Sequence, residues 1–316
     1  MRLISYTSVI NSQSENCNIM IAVTRLRLMR TSWALLKNHH YRTLTNTHNT
    51  RRLQSLVSAD WLKENLANQR ALRVLHASRD QCADHAVFRI PGAQCFDIGV
   101  ATDTESPYKY TIPPVELFES YVRSLGVSND SAVVVYDSNI STPSLLNAAR
   151  VWFLFRLFGH ENVALLNGGL LHWLHLQYPV EGSVKQQQPS AGTFSATFRP
   201  ELLANYNDVI SNVQQKQKTF QLIDCRSEDA YQGDSNDDRT GHVPGAANLP
   251  FNEVLDPNTG LMLDETKLAR LFREKRISLD RPLAAHCVAG VTACAVVFAA
   301  HCCGRTDTRL FDGTSF

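Results

Sequence analysis

The 316-residue sequence contains no apolar run that reaches the roughly 18 residues of a membrane span. It also lacks an excess of either charge, because 31 lysines and arginines are balanced by 30 aspartates and glutamates, for a formal net charge of +1. A protein that binds nucleic acid usually carries a strongly positive surface. We therefore expect no membrane and no nucleic acid among the partners of this chain.

The eight cysteines lack the paired spacings that indicate a zinc site or the framework of a small secreted domain. They are Cys17, Cys82, Cys95, Cys225, Cys287, Cys294, Cys302 and Cys303. Nothing else in the sequence suggests secretion. We therefore expect free thiols in a reducing compartment, and no metal site.

Acidic residues are absent between Glu15 and Asp60, in a stretch rich in serine, threonine and asparagine. The basic residues of this stretch are Arg25, Arg27, Arg30, Lys37, Arg42, Arg51 and Arg52. A basic, hydroxyl-rich and acid-poor N-terminus is typical of a mitochondrial presequence. We predict that residues 1–54 direct the protein to mitochondria. The alternative is a disordered tail without an address, on a cytoplasmic protein.

Three segments of the chain recur at offsets of 153, 150 and 145 residues, which indicates a duplicated domain. The pairs are Arg89–Ala93 with His242–Ala246, Val133–Asp137 with the strand that ends at Cys287, and Val163–Gly168 with Thr308–Gly313. In each copy, short runs of valine, isoleucine and leucine alternate with longer amphipathic stretches such as Glu116–Ser124 and Glu265–Glu274. This alternation predicts an α/β fold, with a mostly parallel sheet flanked by helices in each copy.

The segment from Arg281 to Cys294 has the pattern of a short apolar strand, a six-residue loop and the start of a helix. Cys287 stands at the end of the strand, where backbone N–H groups and the positive end of the helix dipole favour a nucleophilic thiolate. Gly290 permits the backbone to curl around an anion, and Thr292 is placed to begin the helix. We interpret Cys287 as a nucleophile; the alternative is a buried structural cysteine before a core helix.

The residues of the loop also indicate which type of reaction Cys287 could carry out. A cysteine phosphatase would need an arginine after five or six intervening residues to bind phosphate, and this chain has Ala293 and Cys294 there. The pattern therefore argues against phosphoryl transfer. The Cys-x-x-Gly-Val-Thr pattern of residues 287–292 resembles instead the persulfide-forming loop of the rhodanese family of sulfurtransferases.

Further stretches resemble the tandem-domain members of this family that act on mercaptopyruvate or thiosulfate. They are Ala149–Phe153, Phe158–His160, Asn167–Gly169, the pair His172 and Trp173, and Asp224–Arg226. The resemblance covers roughly residues 55–316 and implies two tandem rhodanese-like domains. We expect a catalytically silent domain at 55–180, because Asp137 replaces the cysteine, a linker at 181–198 and a catalytic domain at 199–316.

The resemblance implies that Cys287 takes sulfur from a small donor, with 3-mercaptopyruvate favoured and thiosulfate as the alternative. The acceptor would be a thiol such as thioredoxin or glutathione, or cyanide. Stabilisation of the thiolate and of the bound sulfur would come from the backbone N–H groups of Val288, Ala289, Gly290, Val291 and Thr292. Arg239 aligns with one of two family arginines that bind mercaptopyruvate. No metal or organic cofactor is implied.

Four positions depart from the family pattern. Ala289 stands where the family has serine or lysine, and Ala230 where it has the other donor-binding arginine. Gly99 and Tyr110 stand where the family has an aspartate and a histidine proposed to handle protons. The sequence therefore leaves open a weakly active or inactive member that binds or senses through Cys287.

Relatives usually continue past the Asp-Gly-Ser stretch with a further helix, so we also expect a truncated C-terminus.

Overall fold

The computed structural model describes residues 53–67, 72–79, 82, 85, 87–138, 145–182, 188–234, 237 and 240–312. These residues form two sheets of five strands each. The first sheet contains β1 (Leu56–Val57), β2 (Leu72–Ser78), β3 (Gln94–Asp97), β4 (Ala132–Asp137) and β5 (Val163–Leu166). The second contains β6 (Leu203–Ala204), β7 (Gln221–Asp224), β8 (Ala247–Asn248), β9 (Leu283–His286) and β10 (Arg309–Phe311).

Both sheets have the same topology, which confirms the duplication that the repeated segments predict. The strand order is β1-β5-β4-β2-β3 in the first sheet and β6-β10-β9-β7-β8 in the second. All of these pairings are parallel. The repeated valine-rich segment forms β4 in the first copy, and its counterpart forms β9 in the second. The predicted α/β class is therefore confirmed.

Eight α-helices are described, four in each half. They are α1 (Ala59–Asn65), α2 (Val115–Ser124), α3 (Leu146–Leu157), α4 (Gly169–His175), α5 (Tyr206–Gln214), α6 (Glu228–Gln232), α7 (Glu265–Glu274) and α8 (Ala293–Cys302). Short 3-10 turns lie at Pro200–Leu202 and Phe251–Val254. The two amphipathic stretches of the sequence form α2 and α7. In α7, Leu268 and Phe272 are buried at a spacing of four residues, so one stripe of the helix packs on the core.

Two helices, α3 and α8, are buried on almost every side because they lie between the two halves. All of α3 after its first residue is buried, as is α8 from Ala293 to Ala300. The helices pack on each other: the Trp152 ring centroid lies 4.8 Å from Phe298 and 5.0 Å from His301. One apolar cluster therefore runs through both halves. Trp152 is fully buried and fills part of this interface.

Two hydrogen bonds tie the halves at equivalent positions of the repeat. Asn167 follows β5, and its Oδ1 accepts from the N–H of Met262 in the second half at 2.9 Å. Asp312 follows β10, and its Oδ2 accepts from the N–H of Ile112 in the first half at 3.0 Å. The two copies therefore have an approximate twofold relation at the interface. The acceptor is a neutral amide in the first hydrogen bond and a carboxylate in the second.

The predicted linker packs closely along the first half over residues 188–198. Phe194 is fully buried, and the N–H of Gly192 donates to the carbonyl of Arg123 at 2.8 Å. Further along, the N–H of Thr197 donates to the carbonyl of Phe158 at 3.0 Å. These contacts fix the path of the chain from the first sheet to the second.

The cysteines require one correction. Cys82 and Cys95 are joined by a disulfide, although we expected free thiols throughout. Cys95 lies on β3, at the edge of the first sheet, and the chain after β2 brings Cys82 to a Cα separation of 6.1 Å. That separation lies within the usual range for a disulfide. The other described cysteines are free; they are Cys225, Cys287, Cys294, Cys302 and Cys303.

Two further kinds of feature are absent from the described residues. None of their helices combines the length and the apolar character needed to cross a bilayer. Nor do these residues include a cluster of three or more histidine, cysteine, aspartate or glutamate side chains that could hold a metal ion.

Candidate active site

Cys287 directly follows β9, at the carboxyl edge of the second sheet, and residues 288–292 lead from it to α8. The loop turns at Gly290, whose φ of 65° lies in the left-handed region that glycine adopts without a steric penalty. Thr292 occupies the N-cap position of α8, as predicted. Ligands of open parallel sheets bind at this edge of the strands. The local backbone therefore places a thiol where a small ligand would bind.

The backbone N–H groups of the loop are available to an anion. Among the described contacts, those of Val288, Ala289, Gly290, Val291 and Thr292 donate to no protein acceptor. The Thr292 side chain makes no capping hydrogen bond, so the N-terminus of α8 faces the loop without a side-chain cap. Free N–H groups at a helix N-terminus attract negative charge. The loop can therefore stabilise a thiolate, or the terminal sulfur of a persulfide.

The thiol lies just beneath the surface of the protein. Cys287 is 8% exposed, whereas the next residue, Val288, is 66% exposed. Ala289 is half-buried between them and the turn at Gly290. A small donor can reach the sulfur from the loop side, while most of the cysteine is shielded from bulk water. Shielding of this kind strengthens electrostatic interactions at the sulfur.

Asp224, Arg226 and His286 form a polar cluster at the ends of β7 and β9. The Asp224 carboxylate accepts from Arg226 Nε at 3.0 Å and from Arg226 Nη2 at 2.6 Å. Burial acts to raise the pKa of Asp224, but the hydrogen bonds from Arg226 outweigh it and hold that pKa below its ordinary value. His286 Nε2 lies 3.8 Å from Asp224, and burial lowers the pKa of His286. This cluster therefore joins the ends of β7 and β9 beside Cys287 and has a structural role.

The other free thiols are poorly suited to nucleophilic attack. Burial raises the pKa of Cys294 and of Cys302 to about 12, and that of Cys303 to about 11. It also raises the pKa of Cys225 well above its usual range. Because the thiolate is the reactive form, these raised pKa values disfavour nucleophilic attack by the four thiols at neutral pH.

The structure brings together part of the predicted substrate site. Residues 288–292 adjoin Cys287, and Ala230 lies in the short helix α6 that follows β7. Gly99 and Tyr110 lie in the first half, where Tyr110 adopts a φ of 63°. Arg239 falls outside the described residues, so its role as a donor contact stays a prediction.

One ion pair beside the loop was not predicted. Arg150 of α3 donates from Nη1 to Asp312 Oδ1 at 3.0 Å, across the domain interface. Burial raises the pKa of the Asp312 carboxyl despite the neighbouring guanidinium. The sequence did contain a signal, because a charged residue within the otherwise apolar Ala149–Phe153 stretch requires a buried partner.

The equivalent position of the first half is occupied by a buried carboxylate. Asp137 ends β4, and one of its oxygens accepts from the N–H of Asn147, in the first turn of α3, at 3.2 Å. The N–H of Ala148 donates to the same carboxylate. Burial nevertheless raises the pKa of Asp137 to about 7. A carboxylate cannot carry a transferable sulfur atom, so this position has no counterpart to the Cys287 chemistry.

Comparison with known proteins agrees with this geometry. The rhodanese-like domain family matches residues 58–176 and 207–314. Over 275 residues the chain is 38% identical to 3-mercaptopyruvate sulfurtransferase of Mus musculus, covering 83% of this chain and 90% of the relative. It is likewise 38% identical to thiosulfate sulfurtransferase of Mus musculus, with the same coverage of both chains.

A solved structure gives the same result. The crystal structure of SseA from Escherichia coli, a 3-mercaptopyruvate sulfotransferase, superimposes with a TM-score of 0.73 at 30% identity. The alignment covers 84% of this chain and 100% of that chain. Each of the two matched regions contains most of one five-stranded sheet. The chain therefore belongs to the rhodanese family, as a sulfurtransferase with two rhodanese-like domains.

Proposed function

We propose that Cys287 carries the transferred sulfur atom as a persulfide. The observation that supports this most directly is the set of free N–H groups at residues 288–292, in a loop that begins at the thiol. Preorganised N–H groups stabilise developing negative charge without the aid of a cofactor. The raised pKa values of the other free thiols support the assignment to Cys287.

The first half-reaction loads the sulfur. The Cys287 thiolate attacks the sulfur atom of 3-mercaptopyruvate, so that a sulfur–sulfur bond forms and the carbon–sulfur bond of the donor breaks. The electron pair of that bond remains on the donor carbon, which gives the enolate of pyruvate, and the enolate then takes up a proton. The negative charge of the persulfide stays on its outer sulfur, where the loop N–H groups stabilise it.

The second half-reaction transfers the sulfur to an acceptor. A thiolate of glutathione or thioredoxin attacks the outer sulfur, and the Cys287 thiolate leaves as the sulfur–sulfur bond breaks. Cyanide would accept the sulfur in the same way, with thiocyanate as the product. The acceptor reaches the sulfur past the exposed Val288, because the rest of Cys287 is buried.

3-Mercaptopyruvate is the donor we propose, with thiosulfate as the second candidate. Relatives that act on each of these compounds match the chain at the same 38% identity. Ala289 supplies no lysine beside the loop for the dianion thiosulfate, which favours the singly charged carboxylate of mercaptopyruvate. Arg239 is the side chain that we assign to that carboxylate.

Intact-mass measurement after incubation with each donor tests the proposal. We expect one added sulfur atom, removed by cyanide or dithiothreitol, in the wild-type protein and none in Cys287→Ser. Cys302→Ser is the matched control, because it removes a free thiol at the end of α8 and should load normally. Loading of Cys287→Ser would show that another residue is the nucleophile. Failure of wild-type protein to load from either donor would favour an inactive binding protein.

We also propose that residues 1–54 direct the protein to mitochondria, on the basis of their composition. A fusion of this segment to a fluorescent reporter should colocalise with a mitochondrial marker. A matched fusion in which the seven basic residues between Glu15 and Asp60 are changed to glutamine should stay in the cytosol. Cytosolic signal from the unaltered fusion would contradict the assignment.

A further inference from the structure

A buried arginine of the first domain lies directly beneath the sulfur-binding loop of the second. The Arg150 side chain is only 1% exposed. Its Nη1 donates to Asp312 Oδ1 at 3.0 Å, and its Nη2 donates to the carbonyl of Tyr110 at 2.6 Å. Asp312 also accepts from the N–H of Ile112 at 3.0 Å. Four residues on three segments of the chain therefore form one network across the domain interface.

This network is in contact with Gly290, at the turn of the loop. A β-carbon at Gly290 would lie 3.0 Å from Arg150 Nη1 and would overlap Asp312 Oδ1. The ion pair therefore leaves no space for a side chain at this position. Gly290 also adopts a left-handed φ of 65°, which favours glycine. The backbone conformation and the neighbouring ion pair therefore both require a glycine at this position.

A second connection runs from Arg150 to the loop through Cys294. The Cys294 thiol donates to the carbonyl of Gly290 at 3.1 Å. The Arg150 guanidinium also interacts electrostatically with this thiol group. Burial raises the pKa of Cys294 to about 12, so the group remains a thiol that can donate. Since the C=O and N–H of a trans peptide unit point in opposite directions, fixing the Gly290 carbonyl also fixes the N–H of Val291.

We propose that Arg150 is a positioning residue for sulfur transfer: held by Asp312 and Tyr110, it sets the direction in which the loop N–H groups point. The silent domain thereby contributes to the active site of the catalytic one. This inference rests on the proposed function of Cys287. Small displacements of groups that stabilise a transition state lower rates by large factors.

The equivalent tie at the other side of the interface supports this assignment. Asn167 occupies the position of Asp312 in the first domain and makes the same kind of bond, to the N–H of Met262. It is neutral and has no arginine partner among its described contacts. Of these two equivalent contacts, the one beside the loop that carries Cys287 involves a charged pair, and the other involves a neutral amide. Stability alone does not require the charged pair, because an apolar pair can replace a buried ion pair at little cost.

Single-turnover sulfur loading at saturating donor tests the inference, using the full-length protein. In Arg150→Met, we expect the loading rate constant to fall by roughly tenfold to a hundredfold. The donor concentration for half-maximal rate should change less than about twofold, because Arg150 does not touch the donor. A purely structural role would lower the amount of protein that loads, yet leave the rate constant of the folded fraction unchanged.

Arg156→Met is the matched control. Arg156 lies on the same helix, is also buried, and also crosses the interface, where it donates to the carbonyl of Thr306 at 2.9 Å. None of its described contacts involves the loop. We expect Arg156→Met to lose thermal stability while its folded fraction loads sulfur at the wild-type rate constant. An equal loss in both arginine variants would overturn the proposal.

Two milder variants keep the test decisive if Arg150→Met does not fold. Asp312→Asn matches the neutral side chain of the silent domain, and Cys294→Ala removes the thiol that holds the Gly290 carbonyl. Both should slow loading severalfold without changing the donor dependence. Wild-type rate constants in both would overturn the proposal. If the wild-type protein itself adds no sulfur at Cys287, the proposed function fails and this inference fails with it.

Discussion

The two domains share one strand order and differ at the carboxyl end of the fourth strand. In the first domain, the Asp137 carboxylate accepts from N–H groups in the first turn of α3. In the second, Cys287 occupies that place, and the loop N–H groups have no described acceptor. Both copies therefore have backbone N–H groups that attract an anion at the carboxyl edge of the sheet. They differ in the group at this place: the first copy has the Asp137 carboxyl group, and the second has the Cys287 thiol, which we propose carries the sulfur.

The largest effect is expected when the catalytic copy is made to resemble the silent one. Cys287→Asp should reduce sulfur transfer by at least about 10⁴-fold, because it removes the proposed nucleophile. Steady-state assays with mercaptopyruvate and thiosulfate measure the loss. Asp137→Asn is the matched control in the silent copy and should retain wild-type turnover. Substantial turnover by Cys287→Asp would mean that the sulfur is carried elsewhere.

A second prediction concerns stability and pH in the silent domain. Burial raises the pKa of Asp137 to about 7. The wild-type protein therefore loses folding stability as the pH rises through that value, because the buried carboxyl group then ionises. Asp137→Asn cannot ionise and should therefore be more stable than wild type near neutral pH. The gain should be at most about 4 kcal/mol at about pH 8, and it should vanish near about pH 4.

Urea unfolding at several pH values measures this difference. Asp280→Asn is the control, because Asp280 is an exposed aspartate of the second domain and should show little pH-dependent gain. A stability gain of Asp137→Asn that is the same at low and neutral pH would contradict the prediction. It would then reflect packing or hydrogen bonding, and not the ionisation of a buried carboxyl group.

A third prediction sharpens the comparison with the relatives at the donor site. Ala230→Arg should supply the second donor-binding arginine that the family pattern implies and lower the KM for mercaptopyruvate by roughly tenfold to a hundredfold. The reason is that a charge-assisted hydrogen bond to a carboxylate contributes about 1.5–3 kcal/mol. Arg239→Ala should weaken donor binding by a similar factor. A neutral sulfur donor serves as the control and should be unaffected by either change. If neither variant alters KM, the carboxylate is bound elsewhere or mercaptopyruvate is not the donor.

The smallest expected effect compares the helix that follows the first strand in each domain. Ser58 caps α1 through one hydrogen bond, from the N–H of Trp61 at 3.1 Å. Asn205 caps α5 in a reciprocal pair with Asp208, at 3.0 and 2.9 Å. Asn205→Ala should therefore cost about 1–2 kcal/mol of stability and Ser58→Ala about 0.5–1 kcal/mol. Thermal unfolding of both variants measures the two losses of stability. A larger loss in Ser58→Ala than in Asn205→Ala would contradict the prediction.

Much of the fold could be predicted because its signals are local. The valine-rich strand that ends at Asp137, the repeated Pro-Gly-Ala segments and the amphipathic stretch that forms α7 each specify an element from neighbouring residues alone. The Cys287 loop was predictable for the same reason, since one short segment contains the strand end, the glycine turn and the start of the helix.

Contacts between distant residues were missed. Arg150 and Asp312 are separated by 162 positions, and no spacing rule connects them before the fold is known. The disulfide between Cys82 and Cys95 was missed because it depends on how the edge strand β3 is placed beside the chain after β2. In both cases the individual residues were visible in the sequence, but their partners were set by tertiary structure.

The continuous core formed by α3 and α8 has a genetic consequence. A substitution such as Trp152→Gly would act on the Phe298 side of the interface, although Trp152 belongs to the copy without a reactive cysteine. The duplicated copies therefore cannot accumulate changes independently of one another. A random-mutagenesis screen for loss of sulfur transfer should recover variants in both halves of the gene, with those of the silent half concentrated in the codons for α3.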